Sequence, residues 1–270
     1  MANSPGSGVW GGTDGYEAYM GRWSRPMARA FIAWFAVPAA GRWLDVGCGT
    51  GALSAAVLDA ADPSAVLGID PSPEFVETAT ARVTDPRARF EVGDARALPV
   101  ATDRYDAVVA GLVLNHVPDP TLAVAEMARA AHPGGAVGAY VWDYGGEMQL
   151  MRHFWDAVGA TDADAATHDP RAHYHICRPD PLAALFRAAG LSDVEVGAID
   201  LPMDFRDLDD YWLPHTLAGP AGPQRYVSAL DDERKAALRE RLRFTLPTAA
   251  DGTIALIGRA WAARGWKRTG

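Results

Sequence analysis

From residue 42 onward, short runs rich in β-branched and aromatic residues alternate with stretches in which apolar residues recur at helical spacing. This alternation is typical of βαβ units, which place helices on the faces of a parallel sheet. The predicted strands are 43–46, 65–69, 89–92, 105–110 and 136–142, and the predicted helices between them are 51–59, 73–84 and 120–131. The sequence therefore predicts an α/β fold whose core spans residues 41–145.

The pattern changes after residue 143. A helix at 148–158, an irregular polar stretch up to 179 and a helix at 181–189 precede a strand at 194–199, which indicates a helical cap inserted before the sixth strand. A polar, aromatic stretch at 204–226, a helix at 231–244 and a strand at 253–261 follow. We assign residues 146–250 to the cap and the sixth strand, and residues 251–270 to a last strand that completes the core.

The amino-terminal segment divides into two parts. Residues 1–12 are mainly Gly, Ser, Pro and Asn with little to bury, so we expect a disordered tail. In residues 13–40, apolar side chains recur at three- and four-residue steps, which predicts a helical lid. Gly21 interrupts this pattern, and Ser24 is a candidate N-cap that places Pro26 in a first turn, so we expect two short helices joined near Gly21.

Composition excludes several classes of protein. The 270 residues include 25 Lys and Arg against 34 Asp and Glu, and the net charge of −9 repels a phosphate backbone, so no nucleic-acid partner is expected. Two cysteines, Cys48 and Cys177, are too few for a disulfide framework, and no charged segment followed by an apolar one opens the chain. The longest apolar stretches fall short of the about 20 residues that a membrane helix needs. We expect a cytoplasmic protein without a membrane partner.

Residues 44–51, Leu-Asp-Val-Gly-Cys-Gly-Thr-Gly, lie where the first predicted strand passes into a helix. Alternate glycines let the backbone turn sharply and approach a ligand, and the helix offers free N–H groups to it, although an ordinary tight turn would explain this string alone. Asp70 and Asp94 follow the next two strands, and open α/β sheets bind ligands at the carboxyl ends of their strands. An acid at the place of Asp70 can accept both ribose hydroxyls of an adenosine, and Asp94 can accept from a purine amino group.

Together with Gly-Ile-Asp at 68–70, Gly-Asp-Ala at 93–95 and Pro-Gly-Gly at 133–135, this string resembles class I S-adenosylmethionine-dependent methyltransferases. The resemblance covers roughly residues 42–144. It implies a Rossmann-like, doubly wound sheet of seven mostly parallel strands, with an antiparallel last strand. It also implies S-adenosyl-L-methionine as cofactor and S-adenosyl-L-homocysteine as product.

The resemblance further implies which residues contact the cofactor. Asp45 would orient the loop and the cofactor amino group, Gly47 and Gly49 would lie against the methionine part, and Asp70 would hold the ribose. The residues near the adenine would be Asp94 with Ala95, Pro71 and Ser72. Leu112, after the fourth strand, would also contact the cofactor. Residues 16–25 resemble helices that close over the cofactor in small-molecule members of the family. There Tyr16 would cover the cofactor, Arg25 would pair with its carboxylate, and Tyr19 and Trp23 would line the substrate pocket. Alternatively, these aromatic residues pack on the sheet and the arginines lie on the surface.

Methyl transfer is an in-line displacement that depends mainly on holding two reactants in line and excluding water. A base is needed only for some acceptors, and His116, after the fourth strand, is a candidate, although it could equally cap the next helix. Trp142 and Tyr144 close the fifth strand and would line the acceptor pocket unless they simply pack in the core. His173 and Tyr174 in the cap are further candidates for catalysis at the acceptor site. His173, His175 and Cys177 would share one face of a strand, but this reaction needs no metal, and we expect none.

The acidic charge and the aromatic-rich cap favour a small organic acceptor. The sequence after the fourth strand lacks the Asn/Asp-Pro-Pro-aromatic pattern of enzymes that methylate adenine or glutamine amides. We therefore expect a methyltransferase, monomeric or homodimeric, that acts on an O, N or C atom of a small metabolite. The alternatives are another reaction of the same cofactor on this fold, such as cyclisation or aminocarboxypropyl transfer, and a catalytically silent cofactor-binding subunit.

Overall fold

A computed structural model describes residues 20–37, 40–162, 165, 169–217 and 222–269. Its strands are β1 (Arg42–Val46), β2 (Ala65–Asp70), β3 (Ala88–Val92), β4 (Tyr105–Gly111), β5 (Ala131–Trp142), β6 (Ser192–Phe205) and β7 (Ile254–Trp266). Its helices are α1 (Arg22–Phe35), α2 (Ala52–Ala60), α3 (Pro73–Arg82), α4 (Pro120–Ala130), α5 (Gln149–Thr161), α6 (Pro179–Ala188), α7 (Leu208–Thr216), α8 (Gly222–Ala229) and α9 (Asp232–Thr245). Within these ranges, no helix is long and apolar enough to cross a membrane.

The strands form a single seven-stranded sheet in the order β3-β2-β1-β4-β5-β7-β6. The pairs from β3 to β5 are parallel, whereas β7 runs antiparallel to both of its neighbours. The order reverses at β1, which places the loops after β1 and β4 on either side of a crevice. The predicted doubly wound, mostly parallel sheet with an antiparallel last strand is confirmed.

Helices α3 and α4 begin after strand ends with the same local chemistry. Ser72 accepts a hydrogen bond from the backbone N–H of Phe75, and Asp119 accepts one from Leu122. In both helices a proline follows the cap at the first helical position, where its missing N–H removes no helical hydrogen bond. These caps fix the direction in which the chain leaves β2 and β4.

Three strands are longer than the sequence patterns predict. Strand β5 begins at Ala131 rather than at residue 136, because the Pro-Gly-Gly turn is an irregularity within the strand: its pairing with β4 shifts between Tyr105 and Ala107. Strands β6 and β7 pair continuously from Glu195 to Phe205. Strand β6 lies at the sheet edge, and its polar residues obscured its length in the sequence pattern.

Helix α1 differs from the predicted pair of helices at one boundary. The helix begins at Arg22, so Ser24 is not its N-cap; the buried Ser24 hydroxyl instead donates a hydrogen bond to the Gly21 carbonyl. Pro26 lies inside the helix, where it gives up one backbone hydrogen bond. A wider π turn at residues 20 and 21 precedes the helix, so the helical backbone starts earlier than the capping pattern suggests.

Helix α1 packs on the sheet through a stripe of large apolar side chains. Met27, Phe31 and Phe35 are fully buried, and the Phe31 ring centroid lies 4.7 Å from that of Tyr140 on β5. Gly138 on β5 leaves the space that Phe35 fills. The described part of the predicted lid, 13–40, is therefore largely core, and closure over a ligand stays a prediction for the residues before α1.

Candidate functional site

The loop between β1 and α2 turns at three glycines with positive φ. Gly47, Gly49 and Gly51 have φ values of 72°, 52° and 86°. The backbone N–H groups of Gly47 and Cys48 both donate to the carbonyl of Ile69, at 2.7 and 3.0 Å, so the loop is fastened to the end of β2. A Cβ at Gly47 would lie 2.4 Å from Val113, whereas a Cβ at Gly49 would meet nothing within 4 Å. The loop is therefore closed on the β4 side at Gly47 and open at Gly49.

Asp70 lies at the end of β2, beside the open part of this loop. One carboxylate oxygen accepts a hydrogen bond from the backbone N–H of Gly49 at 3.0 Å, and the other accepts one from Ser72 at 2.9 Å. Burial raises the pKa of Asp70, and the two backbone N–H donors oppose this effect. Each oxygen retains acceptor capacity after these bonds, so Asp70 can also bind the hydroxyls of a ligand.

Asp45 lies in β1, beneath the loop. Its Oδ2 accepts a hydrogen bond from the Ser54 hydroxyl at 2.7 Å, and its Oδ1 is buried without a hydrogen-bond partner within the described part of the chain. Burial raises the pKa of Asp45 from 3.8 to about 7. An unsatisfied buried acceptor costs free energy, so this site fits a ligand or water that donates a hydrogen bond from above the loop. Ser54 was not predicted, although it lies in the first turn of the helix that follows the glycines.

Arg25 and the start of α2 line one pocket of about 130 Å³. The pocket also contains Thr50, Gly51, Arg29 and Arg82. Gly51, the N-cap of α2, has no side chain to cap the first turn, and the N-terminus of a helix attracts anions. The structure thus brings the predicted carboxylate-binding arginine to the glycine loop. Tyr16 and Tyr19 lie outside the described residues.

Asp94 lies after β3, next to Asp70, because the Gly93 N–H donates to the Asp70 carbonyl at 3.1 Å. The Asp94 carboxylate forms an ion pair with Arg96, with contacts of 2.6 and 3.0 Å, which lowers its pKa. Arg96 was not predicted as a site residue. It belongs to the Gly-Asp-Ala-Arg string and is two residues from Asp94, so charge spacing could have identified the pair.

Of the other predicted adenine-side residues, three are neighbours of these two carboxylates in the chain. Ala95 is buried, Ser72 is half-buried and Pro71 is exposed. Leu112 follows β4 with a positive φ of 59°, and its N–H donates to the Tyr140 carbonyl at 2.8 Å. This bond aligns the chain ends of β4 and β5 beside the glycine loop.

On the other side of the crevice, three predicted residues from separate segments meet. The ring centroid of Tyr174 in the cap lies 5.4 Å from that of His116 and 5.3 Å from that of Tyr144. The Tyr174 hydroxyl lies 3.4 Å from His116 Nδ1. Burial lowers the pKa of His116 from 6.5 to about 4, so this imidazole is neutral at neutral pH. The cap and the ends of β4 and β5 together form an aromatic wall.

The remaining predicted residues do not join this wall. Trp142 is buried, and Trp23 packs against Phe205 at the end of β6, with 5.5 Å between ring centroids. His173, adjacent to Tyr174 in the chain, is exposed. Trp23 therefore packs in the core, which is the alternative given above for the aromatic residues of this segment. The cluster at the acceptor side consists of His116, Tyr144 and Tyr174.

The predicted strand face of His173, His175 and Cys177 is wrong. These residues lie in turns, with the two histidines exposed and Cys177 buried, because a short 3₁₀ turn at Pro170–Ala172 leads directly into turns before α6. The period-two alignment of an extended strand therefore does not arise. In the described residues, no three His, Cys, Asp or Glu side chains are grouped in a way that could hold a metal ion.

Comparison with known proteins gives one consistent result. A family model described as a methyltransferase domain matches residues 44–138. The chain is 31% identical over 183 residues to a demethylmenaquinone methyltransferase of Roseiflexus castenholzii, covering 64% of this chain and 76% of that protein.

Solved structures share the fold at low sequence identity. Phosphoethanolamine N-methyltransferase 2 of Haemonchus contortus, in complex with S-adenosyl-L-methionine, aligns with 95% of this chain and 56% of its own (TM-score 0.58, 18% identity). The [4+2]-cyclase SpnF aligns with 91% of this chain and 82% of its own (TM-score 0.53, 20% identity). The sequence match, the glycine loop and the strand order lead to one assignment: this chain belongs to the class I S-adenosylmethionine-dependent methyltransferase family.

Proposed function

We propose that this methyltransferase transfers a methyl group to an O, N or C atom of a small organic metabolite. The observation that carries the proposal is the contact between the cap and the sheet: Tyr174 reaches His116 at 3.4 Å and closes the acceptor side of the crevice with aromatic side chains. An aromatic-lined site suits a small organic molecule better than a macromolecule. The name of the Roseiflexus relative, which specifies a quinone-type acceptor, supports the same conclusion.

In this proposal the crevice between the loops after β1 and β4 holds the cofactor. Asp70 accepts hydrogen bonds from the ribose hydroxyls, and the unpartnered Oδ1 of Asp45 accepts one from the amino-acid end. Gly47 and Gly49 face the methionine part, and Arg25 pairs with its carboxylate at the start of α2. The adenine contacts are Asp94, Ala95, Pro71, Ser72 and Leu112, and Tyr16 covers the cofactor.

When bound, S-adenosyl-L-methionine supplies a methyl group on a positively charged sulfur, whose C–S bond breaks as the acceptor's lone pair forms the new bond. The chain's own contribution is to align the acceptor and to exclude water from it. Tyr144 and Tyr174 form the acceptor wall, and Tyr19, before α1, lines the same pocket, whereas Trp142 is buried and Trp23 packs against Phe205. His116, His173 and Tyr174 are the candidates for hydrogen bonding to the acceptor or for taking its proton.

The cellular setting belongs to the same proposal. We infer a cytoplasmic enzyme, monomeric or homodimeric, without a nucleic-acid or membrane partner. The net charge of −9 supports the absence of these two kinds of partner, because it repels both phosphate backbones and anionic lipid surfaces.

Calorimetric titration of the purified chain tests the cofactor. We expect binding of S-adenosyl-L-methionine and S-adenosyl-L-homocysteine and no binding of NAD; binding of NAD alone would overturn the proposal. Mass analysis of reactions with a panel of small acceptors then tests the reaction. We expect methylated product together with S-adenosyl-L-homocysteine. Accumulation of methylthioadenosine would instead indicate aminocarboxypropyl transfer, and binding without any product would indicate a silent subunit.

A further inference from the structure

The hydrogen bonds around His116 determine which of its nitrogen atoms carries a proton. Asn115 Nδ2 lies 3.1 Å from His116 Nε2, and the Tyr174 hydroxyl lies 3.4 Å from His116 Nδ1. An amide NH₂ group can only donate, so Nε2 accepts. Because His116 is neutral, its single N–H is then on Nδ1, where it donates to the oxygen of Tyr174.

This arrangement separates the roles of the two side chains. His116 accepts with one nitrogen and donates with the other, so neither nitrogen is set to take a proton from an acceptor. The Tyr174 oxygen already accepts a hydrogen bond from the N–H of His116. The hydrogen of the Tyr174 hydroxyl therefore points away from the imidazole. Burial, with a smaller effect from Cys177, raises the Tyr174 pKa against the opposing charge of Arg225, so the hydroxyl keeps its proton at neutral pH. Tyr174 is therefore a hydrogen-bond donor oriented by His116.

We infer that the acceptor site binds a phenol-type molecule as its phenolate, with the Tyr174 hydroxyl donating a hydrogen bond to the phenolate oxygen. The phenol's proton passes to water before binding, so the chain supplies no base. The ring would lie against Tyr144, whose ring is tilted by 37° to that of Tyr174. Asn115 and His116 are positioning residues, because they act through Tyr174. This inference rests on the proposed function, since it specifies the acceptor of the same site.

The charges near Tyr174 are consistent with an anionic ligand. Arg225 on α8 is close enough for its positive charge to affect the Tyr174 hydroxyl. The guanidinium of Arg178 lies beside Gly145: a Cβ added to Gly145 would be 3.9 Å from Nε of Arg178. The groups that oppose them are Cys177 and Asp143. Burial, with a smaller effect from the charge of Asp143, raises the pKa of Cys177 so far that it remains a neutral thiol. The charge of Arg225 and the Tyr174 hydroxyl therefore both favour an anion beside Tyr174.

Binding of 4-nitrophenol tests this inference directly, because the probe absorbs differently as phenol and as phenolate and requires no methyl transfer. The titration is run with the full chain saturated with S-adenosyl-L-homocysteine, at a pH near the probe's own pKa. We expect the bound probe to be mainly phenolate, and its methyl ether, 4-nitroanisole, to bind at least about tenfold more weakly. Equal binding of the two probes, or no binding of 4-nitrophenol, would overturn the inference.

Variants assign the effect to Tyr174 and His116. Tyr174→Phe should weaken 4-nitrophenolate binding about tenfold and leave 4-nitroanisole binding unchanged, because a hydrogen bond to a charged group is lost while the ring remains. His116→Phe should weaken 4-nitrophenolate binding by a similar factor. His116→Asn, which keeps a hydrogen-bond donor, should recover part of the lost affinity. The matched control is Tyr226→Phe, which removes a cap hydroxyl bonded to Asp162 and should have no effect. An unchanged affinity in Tyr174→Phe would show that the phenolate is bound elsewhere.

Calorimetry with S-adenosyl-L-homocysteine on every variant distinguishes the two levels of the proposal. Unchanged affinity for this ligand shows that the variant is folded and that its cofactor site is intact. If the ligand binds but the phenolate does not, only the inference about the acceptor fails. If the wild-type chain does not bind the ligand, the proposed function itself fails.

Discussion

The carboxyl group of Asp70 connects the two segments that would bind an adenosine. Its hydrogen bonds to Gly49 and Ser72 join the glycine loop to the start of α3, and its backbone carbonyl accepts from Gly93 after β3. The residue is buried. A single residue therefore holds three strand-end loops in their relative positions, which explains why an acid is required there for geometry as well as for ligand binding.

Replacing Asp70 with alanine should weaken binding of S-adenosyl-L-homocysteine by about 1.5 to 3 kcal/mol, because the ribose loses a charged hydrogen-bond acceptor. Isothermal titration calorimetry measures the change. The control is Asp85→Ala, whose carboxylate pairs with Arg87 near the start of β3 and which should leave the affinity unchanged. If Asp70→Ala binds as tightly as the wild type, the ribose is held by other groups.

Asp45 makes stability depend on pH. Since burial raises its pKa from 3.8 to about 7, the folded chain keeps a proton that the unfolded chain releases between these pH values. Its contribution to the free energy of unfolding is therefore fully present below about pH 4 and is lost as the pH rises through about 7. The half-buried His116 and the buried His215, whose pKa values are lowered by desolvation, act in the opposite direction.

Asp45→Asn isolates this effect, because the amide has nearly the same size but does not ionise. Urea unfolding of the ligand-free chain should show that the variant gains stability relative to wild type between pH 5 and pH 8, by about 1 to 3 kcal/mol. The histidine contributions cancel in this difference because both proteins contain them. A difference independent of pH would mean that Asp45 titrates normally.

At the scale of elements, the glycine loop has two different kinds of glycine. Gly47 is packed against Val113 after β4, while Gly49 borders open space. Both have a positive φ, so any other residue is strained at either position, but only at Gly47 would a Cβ collide with a neighbouring element. The loop therefore packs against the chain after β4 at Gly47 and leaves space for a ligand at Gly49.

The substitutions Gly47→Ala and Gly49→Ala separate these two purposes. Thermal unfolding should show a loss of about 2 to 4 kcal/mol for Gly47→Ala, because strain and a clash add, and of about 1 kcal/mol for Gly49→Ala, where only the positive φ is unfavourable. Calorimetry should show that Gly49→Ala nevertheless loses most of its affinity for S-adenosyl-L-homocysteine, since its Cβ occupies the approach to the backbone. Normal affinity in Gly49→Ala would place the ligand away from this glycine.

Element types followed from local sequence, whereas several boundaries did not. The parallel strands β1 to β4 are short and bounded by turn residues, and their predicted limits agree with the structure to within one residue. Strand β6 alternates exposed and half-buried residues at the sheet edge, and its pairing with β7 across the chain sets its length. Likewise, α1 begins before Ser24, whose buried hydroxyl donates to the Gly21 carbonyl and does not cap the helix.

For the molecule as a whole, α1 and the sheet share one hydrophobic core. Phe31 and Phe35 stack with 5.3 Å between ring centroids and contact Tyr140 and Trp43 on β5 and β1. Helix α1 also packs beside α2, whose first turn belongs to the proposed cofactor site. Unfolding of α1 would therefore expose the core and disturb the glycine loop together.

Phe31→Ala should lower the free energy of unfolding by about 3 to 5 kcal/mol, because it leaves a cavity between α1 and the sheet. Urea denaturation followed by both circular dichroism and tryptophan fluorescence should show one shifted transition, since the nine tryptophans and the sheet respond to the same core. Phe244→Ala, which removes a ring that is 82% exposed, should change the stability by less than about 0.5 kcal/mol. Separate transitions for the two probes would show that α1 unfolds independently.

The α/β class, the glycine loop and the acids at the ends of β2 and β3 could be predicted from the sequence, because they depend on local periodicity and on turn residues that are neighbours in the chain. Three contacts could not be predicted in this way: Tyr174 meets His116 across 58 residues, Arg25 reaches the start of α2, and Trp23 packs on β6 instead of facing an acceptor. These contacts depend on how the cap and α1 fold back onto the sheet. Such packing is set by the shapes of surfaces distant in sequence, which no local pattern encodes.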